Sequence, residues 1–332
     1  MRMTRWFPAR VHNERGAVAA MTCVIIGTTI ACAAFAVDAG GLWAGRRRIN
    51  TATDAAALAA AQTYTYGGNG CAAVDDQFVT SNDSNATVVS CVNHGNGDSG
   101  YVTVTAKTPV EFQFARIFGM TSADVKSTTH ARYGLPTGVT GLRPMGLCIE
   151  ANAALTSWLN LPTGPTGDSG TIRIFYNKDH PSKCGGNVPG NWGMLDLDGG
   201  SNSTTDLKEW VLNGYPGQVT LSPPDIPGDT GAFSNSIEDE LAAIRNTEFV
   251  LPLFDRVQGN GSNAEFRIVA FVKVKLIGYE VNGSQEDRYI DLQFRRGFVE
   301  GSCCGTGGID AGLRAERICA VDPADNPTAC TA

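Results

Sequence analysis

Histidine is nearly missing from this chain, with four residues in 332, none of them paired at the spacing zinc sites use. Acid–base chemistry built on imidazole therefore has little to work with. No Cys-x-x-Cys pair and no phosphate loop occurs, which removes the usual zinc-ribbon and nucleotide-hydrolase readings. Charge is sparse as well, at 18% of residues, and the balance is acidic, −7 overall. Without a basic stripe, nucleic acid is excluded as a partner. What remains is rich in glycine, with 39 residues, and in Asn, Ser and Thr. That composition suits turn-rich, β-containing structure outside the cell more than a helical bundle.

The longest uncharged stretch runs from Ala17 to Val37. As a helix, its roughly 21 residues span about 32 Å, the thickness of a bilayer core. It is longer than the apolar core of a secretory signal and leads into Leu42, Trp43 and Arg46–Arg48, so it reads as an uncleaved span. Arginines flank it on both sides, and the positive-inside rule is close to a tie. Cysteine decides the orientation. Cys23 and Cys32 lie in the span, and eight more follow it: Cys71, Cys91, Cys148, Cys184, Cys303, Cys304, Cys319 and Cys330. An even, scattered set reads as disulfides in an oxidising compartment. The expected arrangement is a single-pass protein of the cytoplasmic membrane, N-terminus in the cytoplasm and bulk outside.

The expected fold class is α+β. A basic segment (1–16) precedes a transmembrane and extended Ala-rich helix (17–66), whose Ala55–Ala61 run offers a small-residue surface for close helix packing. A small α+β unit (67–133) follows, with strands at Ala86–Val92, Tyr101–Thr105 and Ala123–Ala131. It also holds a short amphipathic helix after Pro109 that puts Val110, Phe114, Ile117 and Phe118 on one face. Cys71 and Cys91 flank a strand–turn–strand and are plausible partners. The Gly- and Pro-bearing stretch 134–143 reads as a linker, residues 144–300 as a disulfide-braced mixed α/β domain, and 301–332 as a Cys-rich tail. The strongest strands are Glu248–Phe254, Glu265–Glu280 and Arg288–Val299. The adjacent Cys303 and Cys304 are expected to bridge separately, with Cys319 and Cys330 as available partners.

Candidate chemistry is thin. The tetrapeptide GDSG occurs at Gly97–Gly100 and Gly167–Gly170, like the nucleophile segment of trypsin-like proteases. His130 lies only about 40 residues before Ser169, too near for the two-barrel arrangement in which a triad forms. Asp196, Asp198 and Asp206 in DLDGGSNSTTD are weak calcium candidates, with glycines and the following Glu209 out of register for an EF-hand loop. Trp158, Trp192 and Trp210 could line a glycan groove but read better as core. No enzyme activity and no cofactor are expected.

The string ERGAVAAM, the span, and then AVDAGGLWAGRRRINTATDAAALAAAQ are similar to the TadE/TadG-like family of Flp (tight-adherence) pilus-assembly proteins. Gly16, Asp38, Gly40, Arg46, Asp54, Ala55, Ala56, Ala59 and Ala60 occupy matching motif positions. Processed members carry a Glu five residues after the glycine. Met21 stands there in this chain, which therefore resembles a TadG-like member. The D-x-S-x-S metal motif of some TadG proteins is absent. GNWGMLDLDGG and FRIVAFVKV also resemble the C-terminal part of TadG-related proteins. The resemblance implies one long helix and a structural or assembly role in a pilus system. Its partners would be the lipid bilayer and other Tad membrane proteins or pilin-like helices. The alternative is a membrane-anchored binding module for glycan or calcium.

Overall fold

The computed structural model describes residues 15–95, 99–161, 163–177, 184, 191–200, 204–221, 225–228, 235–259, 263–299, 301–305 and 308–319. Helix α1 (Arg15–Thr65) is unbroken over 51 residues, about 76 Å at 1.5 Å per residue. Its two halves meet different surroundings. From Val18 to Val37 every side chain except Ala34 is exposed. Farther on, Gly45, Ile49, Ala52, Thr53, Ala56, Ala57, Ala60 and Ala61 are buried, at the three- and four-residue spacing of one helical face.

Short helices α2 (Gly70–Ala73) and α3 (Thr80–Asn82), with a π-helical turn between them, lead to β1 (Thr87–Asn93), β2 (Gly100–Glu111) and β3 (Ser122–Val139). Next come β4 (Met145–Cys148), α4 (Ala153–Leu159), β5 (Thr171–Phe175), β6 (Trp192–Met194), α5 (Thr204–Asn213), β7 (Val219–Thr220) and β8 (Ile226–Pro227). The remainder is α6 (Glu238–Ile244), β9 (Glu248–Gln258), β10 (Glu265–Glu280), β11 (Tyr289–Arg295), β12 (Gly297–Phe298), β13 (Gly301–Gly305) and β14 (Leu313–Cys319). The architecture is α+β.

Two sheets result. The first has the order β1-β2-β3-β14-β12, with β13 and β7 also on β3. Its centre is the β2–β3 hairpin, paired from Gly100↔Tyr133 to Glu111↔Ser122. Val102, Val104 and Ala106 alternate inward and form a core with the alanines of α1, Ala131 and Tyr133. The second sheet has the order β5-β11-β10-β9-β4-β6, with β8 on β10. On β10, Phe266, Ile268, Ala270, Val272, Val274 and Leu276 are all buried, the period-2 pattern of a half-buried strand. Leu155 and Leu159 of α4, Leu207 and Val211 of α5, and Leu241 and Ile244 of α6 complete that core.

Three local expectations change. Most of the stretch read as a linker, 134–139, is strand: β3 continues to Val139 because Gly134 and Gly138 allow close neighbours, not turns. A Cβ on Gly134 would stand 2.9 Å from the Cβ of Cys304. The amphipathic helix after Pro109 is a continuation of β2, followed by a single 3-10 turn, Ala115–Phe118. Val110 faces inward while Phe114, Ile117 and Phe118 do not. The tail supplies β13 and β14, which pair with β3, so residues 301–319 return to the first sheet.

Bridges join Cys71 to Cys91 and Cys148 to Cys184. Cys303 and Cys304 bond to each other, in place of the two separate bridges expected of them. Cys319 ends β14, and Cys330 lies outside the described residues.

Candidate functional site

The outer half of α1 and the sheet beneath it bring most of the motif residues together. At Gly45 any Cβ would run into Val110 of β2, whereas at Gly40 it would meet nothing within 4 Å. The close approach therefore belongs to Gly45, a position the motif comparison passed over. The alanine face is also spoken for. Ala56 and Ala60 are buried with Ala57 and Ala61 against β2 and β3, and Ala55 and Ala59 are half-buried at its edges. The small-residue surface expected to receive a partner helix is closed by the chain's own sheet.

Polar contacts lock this interface. Thr53, fully buried, shares hydrogen bonds with Ser127 Oγ at 3.0 Å and Thr129 Oγ1 at 2.9 Å. The Thr129 hydroxyl also donates to Asp54 Oδ1 at 2.7 Å. Gln62 Nε2 donates to Glu316 Oε1 of β14 at 2.7 Å. Burial lifts the Glu316 carboxyl above its ordinary range, against the opposing effect of the Gln62 amide. Thr53, Asp54 and Gln62 thus each find a polar partner across the helix–sheet seam, which fixes rotation and register as apolar packing alone does not.

Asp38 makes the second anchor. Its carboxylate accepts the backbone N–H of Gln113 at 2.7 Å, Phe114 at 3.2 Å and Ala115 at 2.7 Å. It thereby caps the 3-10 turn in the β2–β3 loop from outside the loop. Arg46, Arg47 and Arg48 are exposed, with the Arg47 guanidinium 5.2 Å from the Trp43 ring centre. Gly16 is the second residue of α1. Sequence reasoning passed over Thr53, Ser127 and Thr129, whose only signal was a run of hydroxyls in an otherwise apolar pattern.

The other candidates resolve into local structure. Asp168 receives Arg295 Nη1 at 2.8 Å and the Arg296 N–H at 2.9 Å. Burial alone would raise its pKa, but these donors outweigh it and hold the carboxyl below its ordinary range. Ser169 Oγ accepts the Phe294 N–H at 2.7 Å and donates to Gly170 O at 2.7 Å. The second GDSG thus ties its loop to β11, while His94 stacks on Tyr101 and His130 bonds Thr103, both in the first sheet. The first GDSG lies partly outside the described residues. Trp158 packs on Phe294, Trp192 on Tyr176 and Trp210 on Tyr215.

Asp196 Oδ1 accepts from Gly199 N at 3.1 Å, and Asp198 Oδ1 from Gly200 N at 2.9 Å, while Asp206 stands in the first turn of α5. Among the described residues no three His, Cys, Asp or Glu side chains are grouped to hold a metal. Burial, and then the neighbouring Asp198, raise the Asp196 pKa. A raised folded-state pKa contributes stability below the ordinary carboxylate pKa and loses it as pH climbs through the raised value. Asp196→Asn is therefore expected to raise the thermal midpoint at pH 7. The advantage should vanish near pH 3, and added calcium should move neither midpoint. A rise in the unaltered chain's midpoint with added calcium that the variant lacks would restore the metal reading.

Among the described residues one helix is long and apolar enough to cross a membrane, and it is set on a sheet-rich body with disulfides, which suggests a membrane anchor carrying a folded head. Residues 16–63, all within α1, match the family of TadE/G-like Flp pilus-assembly proteins. The match ends within the docked half of the helix. No curated protein and no solved structure matches the chain.

Proposed function

We propose that this chain is a non-enzymatic structural or assembly component of a Flp, tight-adherence pilus system, closest in kind to TadG-like members. It crosses the cytoplasmic membrane once, with its N-terminus in the cytoplasm and its sheets outside. The observation that carries the reading is the coincidence of the TadE/G-like match with α1. The matched segment is an exposed apolar helix in its first half and a helix fastened to a sheet in its second. Two bridges between distant cysteines support an oxidising location for the head. Pilin-like helices or other Tad membrane proteins are the partners this reading implies. With the alanine face closed, the exposed apolar side chains of residues 18–37 are the surface this reading offers them.

Deleting the gene is expected to abolish or sharply reduce Flp pili and surface adherence, with restoration by the full chain in trans. Normal pili and adherence in the deletion strain would remove the proposal.

A further inference from the structure

Among the described residues outside the span, the β2–β3 loop carries the most exposed large apolar side chains. Ile117 and Phe118 are each 81% exposed and Met120 is 53% exposed. Hydrophobic side chains at a loop tip, held clear of the core, mark an interaction surface. Their position narrows what they meet. The loop does not lie over the docked half of α1. It sits beside the exposed half, where Ile117, Phe118 and Met120 line one groove with Ile30, Phe35 and Leu42. Whatever surrounds the helix at Ile30 and Phe35 also surrounds the loop.

The backbone is prepared for a medium without water. Irregular chain in lipid needs its N–H groups satisfied from within the protein. The Phe112 N–H donates to Thr121 O, Ile117 to Phe114 O, Gly119 to Arg116 O and Met120 to Ala115 O. The amides of Gln113, Phe114 and Ala115 would otherwise be open, and all three point at the Asp38 carboxylate of α1. Arg116, the cation of the turn, is held by Glu111 at 2.6 Å, back toward the sheet. This is an apolar tip with a charged collar, the pattern of side chains seated at a membrane interface.

We propose that the loop Phe112–Met120 is a second membrane anchor, seated in the lipid leaflet nearest the head and hooked to the spanning helix by Asp38. The proposal rests on residues 17–37 crossing the bilayer. The head is then held at two points and cannot swivel about a single helix. In this account the motif aspartate sets the height and tilt of the head above the membrane.

The test uses the full chain in phosphatidylethanolamine–phosphatidylglycerol vesicles, with p-benzoylphenylalanine placed singly at position 118, at 26 in the span, or at 89 on β1. Val89 is exposed on the first sheet and serves as the aqueous reference. After irradiation, intact mass is expected to show phospholipid adducts at 118 and 26, with several-fold less at 89. Asp38→Ala should cut the lipid adduct at 118 several-fold and leave that at 26 unchanged. Lipid adducts at 26 without any at 118 would overturn the loop anchor and leave the span standing. Loss at both positions would remove the span and the loop together. A protein–protein adduct at 118 would overturn the proposal in favour of a second copy or a partner helix.

Discussion

Leucine at Ala56 and Ala60 together is expected to unseat the outer half of α1 from its sheet, while leucine at Ala33 leaves the sheet intact. Ala56 is fully buried and Ala60 nearly so, one turn apart on the face that meets β2 and β3. Neither side of that seam can give easily. The sheet is a continuous ladder there, and Gly45 and Thr53 already bring helix and strands into contact. Overpacking costs about 1–3 kcal/mol at each site, and neighbours one turn apart do not simply add. Leucine is nearly as good a helix former as alanine, so the loss falls on packing and not on the helix itself. Urea unfolding of the full chain in detergent, followed by circular dichroism, should show a lower midpoint for the double variant. Ala33, exposed in the span, supplies the control. Equal midpoints for all three proteins would mean that α1 is not seated on the sheet.

Much of this architecture is written locally and could be read from side-chain order. The span is a run of apolar residues without charge, and β10 alternates so regularly that its buried residues follow from period alone. The helix was legible; its partner was not. Alanines at four-residue spacing fit equally well beneath another helix or on a sheet, because both need only a smooth, shallow surface. Only the fold decides, by placing Val110, Ser127 and Thr129 opposite Gly45 and Thr53. Gly134 and Pro136 misled for a related reason. Both residues are turn formers in isolation, yet β3 runs through them to accept β13 at an irregular register. The loop at Phe112–Met120 shows the same limit. Its apolar spacing imitates an amphipathic helix, but the apolar side chains project away from the core and only one 3-10 turn forms.

The motif residues divide along the same line. Asp38 and Asp54 stand one on each side of the helix's entry to the sheet, and each accepts hydrogen bonds from a different part of the hairpin. Their sequence neighbours give no hint of this, since the groups they bind lie 75 residues or more away. A family segment that looks like a membrane helix with a polar tail is, in this chain, one continuous helix fastened to the hairpin at two points. The family match ends at residue 63, and these contacts hold the sheet beyond it to the matched helix.

Removing the bridge between Cys148 and Cys184 is expected to cost more than removing the bridge between Cys71 and Cys91. Both sulfurs are buried, and the bridge closes a loop with a sequence separation of 36, against 20 for Cys71–Cys91. Chain-entropy reasoning gives about 4 kcal/mol for the longer loop and about 3 kcal/mol for the shorter. Their sum is comparable with the whole stability of many domains, about 5–15 kcal/mol. A head kept reduced should therefore be marginal, and the same head oxidised should be secure. Cys148→Ala with Cys184→Ala should lower the urea midpoint by the larger amount, and a reducing agent should reproduce most of that loss in the unaltered chain. In intact cells, maleimide trapping before and after reduction reads the compartment directly, since thiols on the cytoplasmic side stay reduced and react at once. Thiols that react only after reduction would put the two sheets outside the cytoplasmic membrane. With Cys23 and Cys32, free in α1, replaced by Ser, thiols that react immediately would move the head to the cytoplasm, and the pilus-assembly reading, which needs it outside, would go with them.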